Sequence, residues 1–152
     1  MKLVILGVGG MGSISLSKTI ASMAINRGLA VKSSEIHGMA KKGGLVEIQM
    51  KIDEGLSGVV LQGEADFSFV MNKDYTDYGQ AFLKRDGRLI MADRDTVEGI
   101  VRDLGDVRFV GSFLLARFIG YQDVFREDDA LNVLEKLKEG EKNIEAFKRG
   151  LI

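Results

Sequence analysis

The chain has no cysteine, no proline and no tryptophan among its 152 residues, and only one histidine. Without cysteine it can form no disulfide, and it cannot by itself ligate an iron–sulfur cluster or a thiolate zinc site. With His37 as the sole imidazole, neither a Cys–His pair nor a multi-histidine metal site can be built. The missing prolines leave turns to Gly, Asp and Asn. Charge of one sign is lacking too: 21 basic residues face 22 acidic ones, a net charge of −1. That balance gives no global pull toward nucleic acid or an anionic membrane. No apolar stretch approaches the roughly 20 residues that span a bilayer, and the apolar N-terminal run lacks a signal-peptide cleavage pattern. The expectation is a cytoplasmic protein without a membrane or nucleic-acid partner.

At 152 residues and 45% hydrophobic content, the chain suits a single domain, residues 1–152, with a sizeable core. Its opening is the most informative stretch. Lys2 to Leu6 is a short apolar run that meets Gly7-Val8-Gly9-Gly10-Met11-Gly12, and a helical pattern from Met11 to Arg27 follows. Gly7, Gly9 and Gly12 fit G-x-G-x-x-G, the grammar of strand, tight turn and helix N-terminus. Backbone N–H groups there would accept an anion, and the helix dipole favours negative charge. The motif admits two readings: a phosphate-bearing ligand on residues 9–13, of which NAD is the conventional case, or glycines that only let helix and strand pack closely.

The periodicity predicts an α/β domain of Rossmann-like, three-layer architecture. Its sheet is expected to be mostly parallel, with an irregular or antiparallel segment around residues 30–52. A second strand is expected at Ala30–Ile36. Val46, Ile48, Met50 and Ile52 alternate with Glu47, Gln49 and Lys51, which predicts a strand with one wetter face. The connection His37 to Lys42 is too short for a crossover helix, so an antiparallel or irregular link is expected. Further expectations are a strand at Phe67–Met71, a helix over Lys73–Lys84 and a strand at Arg88–Ala92. A helix capped by Asp95 with Glu98, a short strand at Val107–Val110, a helix at Ser112–Ile119 and a charged helical tail broken near Gly140 complete the reading.

No self-sufficient catalytic constellation is present, and no catalytic or metal-ligating residue is assigned. Glu35 and His37 would share one face of an extended strand, where they suit proton transfer or a ligand hydrogen bond. A lone histidine at a strand end is more often a structural hydrogen-bonding group. Glu35 also lies near the position where a dinucleotide fold carries its ribose-binding acid. The sequel, with Lys41 and Lys42 between glycines, offers positive charge and free N–H groups, which suit a phosphate, a partner or a solvated loop.

Gly7-Val8-Gly9-Gly10-Met11-Gly12, followed by Ser34-Glu35-Ile36-His37-Gly38-Met39-Ala40-Lys41-Lys42-Gly43-Gly44, resembles the gamma domain of 2-oxoacid:ferredoxin oxidoreductases. It looks most like the beta subunit of indolepyruvate ferredoxin oxidoreductase. Gly63-Glu64-Ala65-Asp66 and Lys142-Asn143-Ile144-Glu145-Ala146-Phe147 extend the likeness over nearly the whole chain. The resemblance implies a subunit that is not catalytic alone, within a complex that oxidatively decarboxylates a 2-oxoacid, such as indolepyruvate or another aryl pyruvate, to an acyl-CoA. Thiamine diphosphate, iron–sulfur clusters and coenzyme A would belong to the complex. The implied partners are the thiamine- and cluster-bearing subunits, and ferredoxin through them. By the same analogy Gly7, Gly9, Gly10 and Gly12 would meet a phosphate, and Glu35, His37, Lys42 and Gly43 would line the same cleft or the subunit interface. Met11 stands where the family often has Gln, and Lys41-Lys42 where it often has Gln-Arg, replacing an amide and a planar guanidinium fork. The alternative is a stand-alone nucleotide- or flavin-binding module. Apolar helix faces near the C-terminus leave open a homodimer in isolation.

Overall fold

The computed structural model describes residues 1–37 and 44–152. Five strands, β1 (Lys2–Val8), β2 (Val31–His37), β3 (Leu45–Ile52), β4 (Ala65–Val70) and β5 (Leu83–Ile90), form one sheet in the order β2-β3-β1-β4-β5. β1 pairs with β4 and β4 with β5 in parallel, whereas β3 pairs antiparallel with both β1 and β2. Four strands therefore run one way and β3 alone runs against them, within the segment where the short 37–42 connection predicted a reversal.

The sheet lies between unequal layers. On one face, Leu3 and Ile5 of β1, Val46 to Ile52 in alternation on β3, and Phe67 and Phe69 of β4 pack against five helices. These are α1 (Ser13–Asn26), α3 (Arg94–Leu104), α4 (Val110–Ile119), α5 (Glu127–Leu134) and α6 (Gly140–Gly150). On the other face Val4, Leu6 and Val70 meet one short helix, α2 (Thr76–Phe82), through Phe82, with Val60 from the preceding loop beside them. Alternation along β1 produces both cores from one strand, since successive side chains point to opposite faces. α1 lies close on the sheet because Ser13, Ser17 and Ala24 are buried beside Leu16, Ile20 and Met23. It ends on Gly28 at φ 75°, where the Leu29 N–H reaches the Ala24 carbonyl at 2.9 Å.

Besides the earlier start of β5, at Leu83 where a helix to Lys84 and then a strand from Arg88 were expected, three sequence expectations change. Val107–Phe109 is a turn of 3-10 helix leading into α4, not a strand: the Asp106 carboxylate accepts the Arg108 N–H at 2.9 Å and starts helical geometry there. The cap of α3 is Asp93, whose side chain accepts the Thr96 N–H at 2.8 Å, and not Asp95. The polar side of β3 is not wet. Glu47 and Gln49 are about 5 and 6% exposed, covered by α2 and the loop through Val60. Alternation reveals a second face, but not whether water reaches it.

Asp66 opens β4 by accepting the Lys2 N–H at 2.7 Å and the Lys84 ammonium at 2.5 Å, tying β1 and β5 to the strand between them. Burial pushes its carboxyl upward, but the Lys84 and Lys2 hydrogen bonds outweigh this and hold it below its usual 3.8. A depressed folded-state value means stability present above 3.8 and lost as pH falls through the folded value. Asp66→Asn is expected to cost about 1–2 kcal/mol at pH 7, with the difference from wild type shrinking below about pH 4. Urea unfolding at pH 7 and pH 3 checks this; an equal deficit at both would contradict it.

Candidate functional site

The buried run Leu3 to Leu6 carries β1 through the middle of the sheet, and the chain leaves it after Val8. A Cβ on Gly7 would stand 3.1 Å from Ser13 Oγ, so this glycine lets the first turn of α1 close onto the strand end. Gly12 caps α1 at φ 92°, and a Cβ there would lie 2.9 Å from the Arg108 carbonyl oxygen. Gly9 and Gly10 are exposed, with nothing within 4 Å of an added Cβ, although Gly10 at φ 87° favours glycine on conformational grounds. The four glycines thus divide: Gly7 and Gly12 serve packing, while Gly9 and Gly10 leave backbone open to solvent.

The Met11 N–H donates to the Val8 carbonyl at 3.3 Å, closing the turn, and the Leu16 N–H is the first in α1 to meet a helical carbonyl, that of Gly12 at 2.9 Å. The amides before it are those a helix start leaves without intrahelical partners. Gly12 offers no side chain to cap them, and the first turn carries no acidic residue. The start of α1 therefore combines amides without intrahelical partners with the positive end of the dipole, an arrangement that accepts an anion.

Glu35 and His37 lie on the edge strand β2, where His37 Nε2 and Glu35 Oε1 are 2.7 Å apart. The predicted shared face is present, and the two groups engage each other. In the ladder His37 pairs with Val46 and Val46 with Gly7, so histidine and glycine turn share one end of the sheet. Two strand spacings separate them, roughly 10 Å. Lys42 and Gly43 lie outside the described residues. Because β3 stands between β1 and β2, Glu35 is one strand farther from the glycine turn than the acid of a conventional dinucleotide fingerprint.

Two clefts flank the turn, and the sequence pointed to neither. One, about 430 Å³, opens at the carboxyl ends of β1, β4 and β5, with Met11, Met71 and Met91 in its wall and Asn72, Asp74 and Arg94 around it. It sits where the connections diverge: α1 carries the chain from β1 toward β2 across one face, and α2 carries it from β4 to β5 across the other. Such a switch point is the usual crevice for ligands of open α/β sheets. The residues directly after β4 and β5 were the available signal. The second, about 400 Å³, lies behind Gly12 and is lined by Ser15, Arg108, Phe109, Lys138 and Asn143. Its Arg108 guanidinium is held by Asp106 at 2.8 Å.

Among the described residues, no three His, Asp or Glu side chains gather as a metal site, and no helix is long and apolar enough to cross a membrane. The fold is that of the gamma subunit of a keto/oxoacid ferredoxin oxidoreductase from Geobacter sulfurreducens, with a TM-score of 0.78 at 22% identity over 98% of this chain and 95% of that one. It also matches part of a 2-oxoglutarate:ferredoxin oxidoreductase from Magnetococcus marinus, solved with 2-oxoglutarate, coenzyme A and succinyl-CoA bound: TM-score 0.75 and 18% identity, over 99% of this chain and 30% of that one. In sequence, 31% identity over 97 residues links it to the indolepyruvate oxidoreductase subunit IorB of Archaeoglobus fulgidus. That match covers 64% of this chain, which spans about half (48%) of the relative's length. The family model described as "Pyruvate ferredoxin/flavodoxin oxidoreductase" runs from residue 2 to residue 151, through the glycine turn, both clefts and the C-terminal helix, and the chain belongs to that family.

Proposed function

We propose that this chain is a gamma-type subunit of a 2-oxoacid:ferredoxin oxidoreductase complex, inert alone, that holds a phosphate-bearing ligand of the complex on its glycine turn. Coenzyme A is the ligand the family chemistry requires to make an acyl-CoA. The observation that carries the reading is the open backbone at Gly9 and Gly10 before an uncapped, acid-free helix start, in a chain without a catalytic set of its own. These residues fit a phosphate: Gly9 and Gly10 put no side chain on the exposed part of the turn, and the start of α1 leaves amides without intrahelical partners. Glu35 and His37, at the same sheet end as the turn, face the ligand or the neighbouring subunit in this reading, and Lys42 and Gly43 are assigned to the same role by the family resemblance alone.

With no cysteine, the chain leaves the iron–sulfur clusters to its partners, as it does thiamine diphosphate. A 2-oxoacid with an aryl side chain is the substrate class favoured by kinship with the indolepyruvate enzyme subunit. Exposed Ile36 on β2, with Leu56, Val59 and Leu61 on the loop after β3, provides apolar surface for subunit contact, whether with those partners or with a second copy.

Co-purification of the native protein tests the proposal. The expected result is a partner that contains thiamine diphosphate and iron–sulfur clusters. A chain that is persistently solitary, and that binds NAD or a flavin tightly until Gly9→Val abolishes it, would instead establish a stand-alone nucleotide module.

A further inference from the structure

We propose that the outer edge of β2 pairs with β2 of a second copy of this chain, joining two five-stranded sheets antiparallel across a two-fold axis at Ser34. The inference goes beyond the ligand reading and stands whether or not the turn holds coenzyme A. Its starting point is a difference between the two edges of the sheet. At β5 the ladder is broken: Lys84 to Gly87 stand against the single residue Asp66, with Lys84, Arg85 and Asp86 exposed. A bulged, charged edge keeps other strands off. β2 has neither bulge nor proline. All of Val31–His37 pairs with β3 without a register shift, and among the described residues β3 is its one strand neighbour. Its outward N–H and C=O groups form a regular template for another strand.

The sequence of β2 selects its own copy. Two sheets continue into one only if paired side chains share a face, so self-pairing must be centred on a residue. Centred on Glu35, it sets two carboxylates against each other. Centred on Ser33, it leaves Ile36 and His37 beyond the end of the second copy's strand. Centred on Ser34, it uses the whole strand. Ser33 then stands opposite the second copy's Glu35, a hydroxyl beside a carboxylate, and Lys32 stands opposite its Ile36, which covers the lysine stem.

The face that carries Lys32 and Ile36 adds apolar surface to this seam. Ser33 pairs with Met50 of the larger core, so its side chain points to the other side and its backbone is bare here. The loop after β3 lies on that bare backbone: a Cβ on Gly58 would stand 2.6 Å from the Ser33 carbonyl carbon, and Lys32 Nζ donates to the Gly55 carbonyl at 3.1 Å. The loop brings exposed Val59 and Leu61 onto the face of exposed Ile36. The two-fold axis sets these surfaces of the two copies side by side.

The test uses the full chain, which has no cysteine, so one substitution introduces a lone thiol. Ser34→Cys is expected to give a disulfide-linked dimer on air oxidation, because the axis holds the two Cα atoms roughly 4.5–5.5 Å apart. Lys32→Cys, about 13 Å along the strands from its copy, is expected to stay unlinked. Sedimentation equilibrium of the unsubstituted chain is expected to show a dimer. Ile36→Lys, which opposes like charges on both sides of the axis, should weaken it about tenfold, and adding Lys32→Glu should restore it. Circular dichroism confirms that each variant is folded. A monomeric chain, a dimer that Ile36→Lys leaves intact, or equal linking of the two cysteine variants would overturn the proposal. So would a monomer in which Ile36→Lys blocks capture of the cluster-bearing subunit, since the edge then belongs to that partner. None of these readouts depends on coenzyme A, so failure here is distinct from failure of the ligand reading.

Discussion

Gly12→Ala is expected to destabilise the protein by about 2–5 kcal/mol, whereas Gly9→Ala leaves stability within about 0.5 kcal/mol of wild type. Two effects add at Gly12. An alanine would be held at φ 92°, in the left-handed region, at a cost of about 1–3 kcal/mol. Its Cβ would stand 2.9 Å from the Arg108 carbonyl oxygen, a backbone atom at the entry to α4 that cannot rotate aside. Overpacking of this kind costs a further 1–3 kcal/mol, roughly. For a domain of this size the thermal midpoint should drop by roughly 5–15 °C. Gly9 has neither a positive φ nor a neighbour within 4 Å. Its effect should appear in anion binding, because a side chain would stand over the open amides. Thermal melts of both variants, with a pyrophosphate titration of Gly9→Ala, separate the structural from the ligand-facing glycine. Equal destabilisation by the two would show that the turn is wholly a packing device.

Glu47→Ala should cost about 2–4 kcal/mol, because it removes the acceptor at the centre of a buried polar network. Glu47 accepts the Tyr78 hydroxyl at 2.5 Å and the Gln49 side-chain amide at 2.6 Å, and Gln49 accepts the Val60 N–H at 2.8 Å. One carboxylate thus links α2 and the loop after β3 to the sheet. Its removal strands the Gln49 donor, which burial keeps from water, and frees Tyr78, which partial exposure allows water to satisfy. Most of the loss should therefore come from Gln49 and the cavity. Burial, and then the hydrogen bond and negative charge of Glu47, push the Tyr78 phenol up to about 12 from 10.0. A raised value means that the stability from this link is fully present below pH 10 and lost as pH rises through about 12. Tyr78→Phe should be less stable than wild type below pH 10, and the gap should narrow above it, as followed by urea unfolding. A constant gap up to pH 12 would contradict the link.

The strand, glycine turn and first helix were legible because every cue sits within one continuous stretch: an apolar run, glycines at fixed spacing and a small-residue ridge in α1. The reversal at β3 was legible from chain length alone, since a six-residue connection cannot carry a crossover helix. The β3 polar face was misread because its covering comes from Val60 and Tyr78, residues 11 and 31 positions away from their partners. The Val107–Phe109 turn was misread because a short apolar run is equally consistent with strand and helix, and Asp106 decides it through one hydrogen bond. Asp93 and Asp95 are equally good caps by residue type; only the backbone direction entering α3 selects Asp93.

The candidate site divides in the same way. Gly9, Gly10, Glu35 and His37 were singled out by local pattern, and the ladder ends β1 at Val8 and β2 at His37 on the same side of the sheet. Asn72, Asp74 and the methionine wall were not, because Met11, Met71 and Met91 are far apart in sequence and meet only where β1, β4 and β5 end side by side. The distinction between packing glycines and open ones also depends on Arg108, whose approach to Gly12 no motif encodes.

The measurement that tests the central claim most directly is 2-oxoacid-dependent ferredoxin reduction by the assembled complex, comparing wild type with Gly9→Val in this chain. A subunit that holds the phosphate of coenzyme A predicts a KM for coenzyme A raised about tenfold or more, as expected for a lost charge-assisted contact, with the KM for the 2-oxoacid unchanged. An unchanged KM for coenzyme A in an intact complex would contradict it.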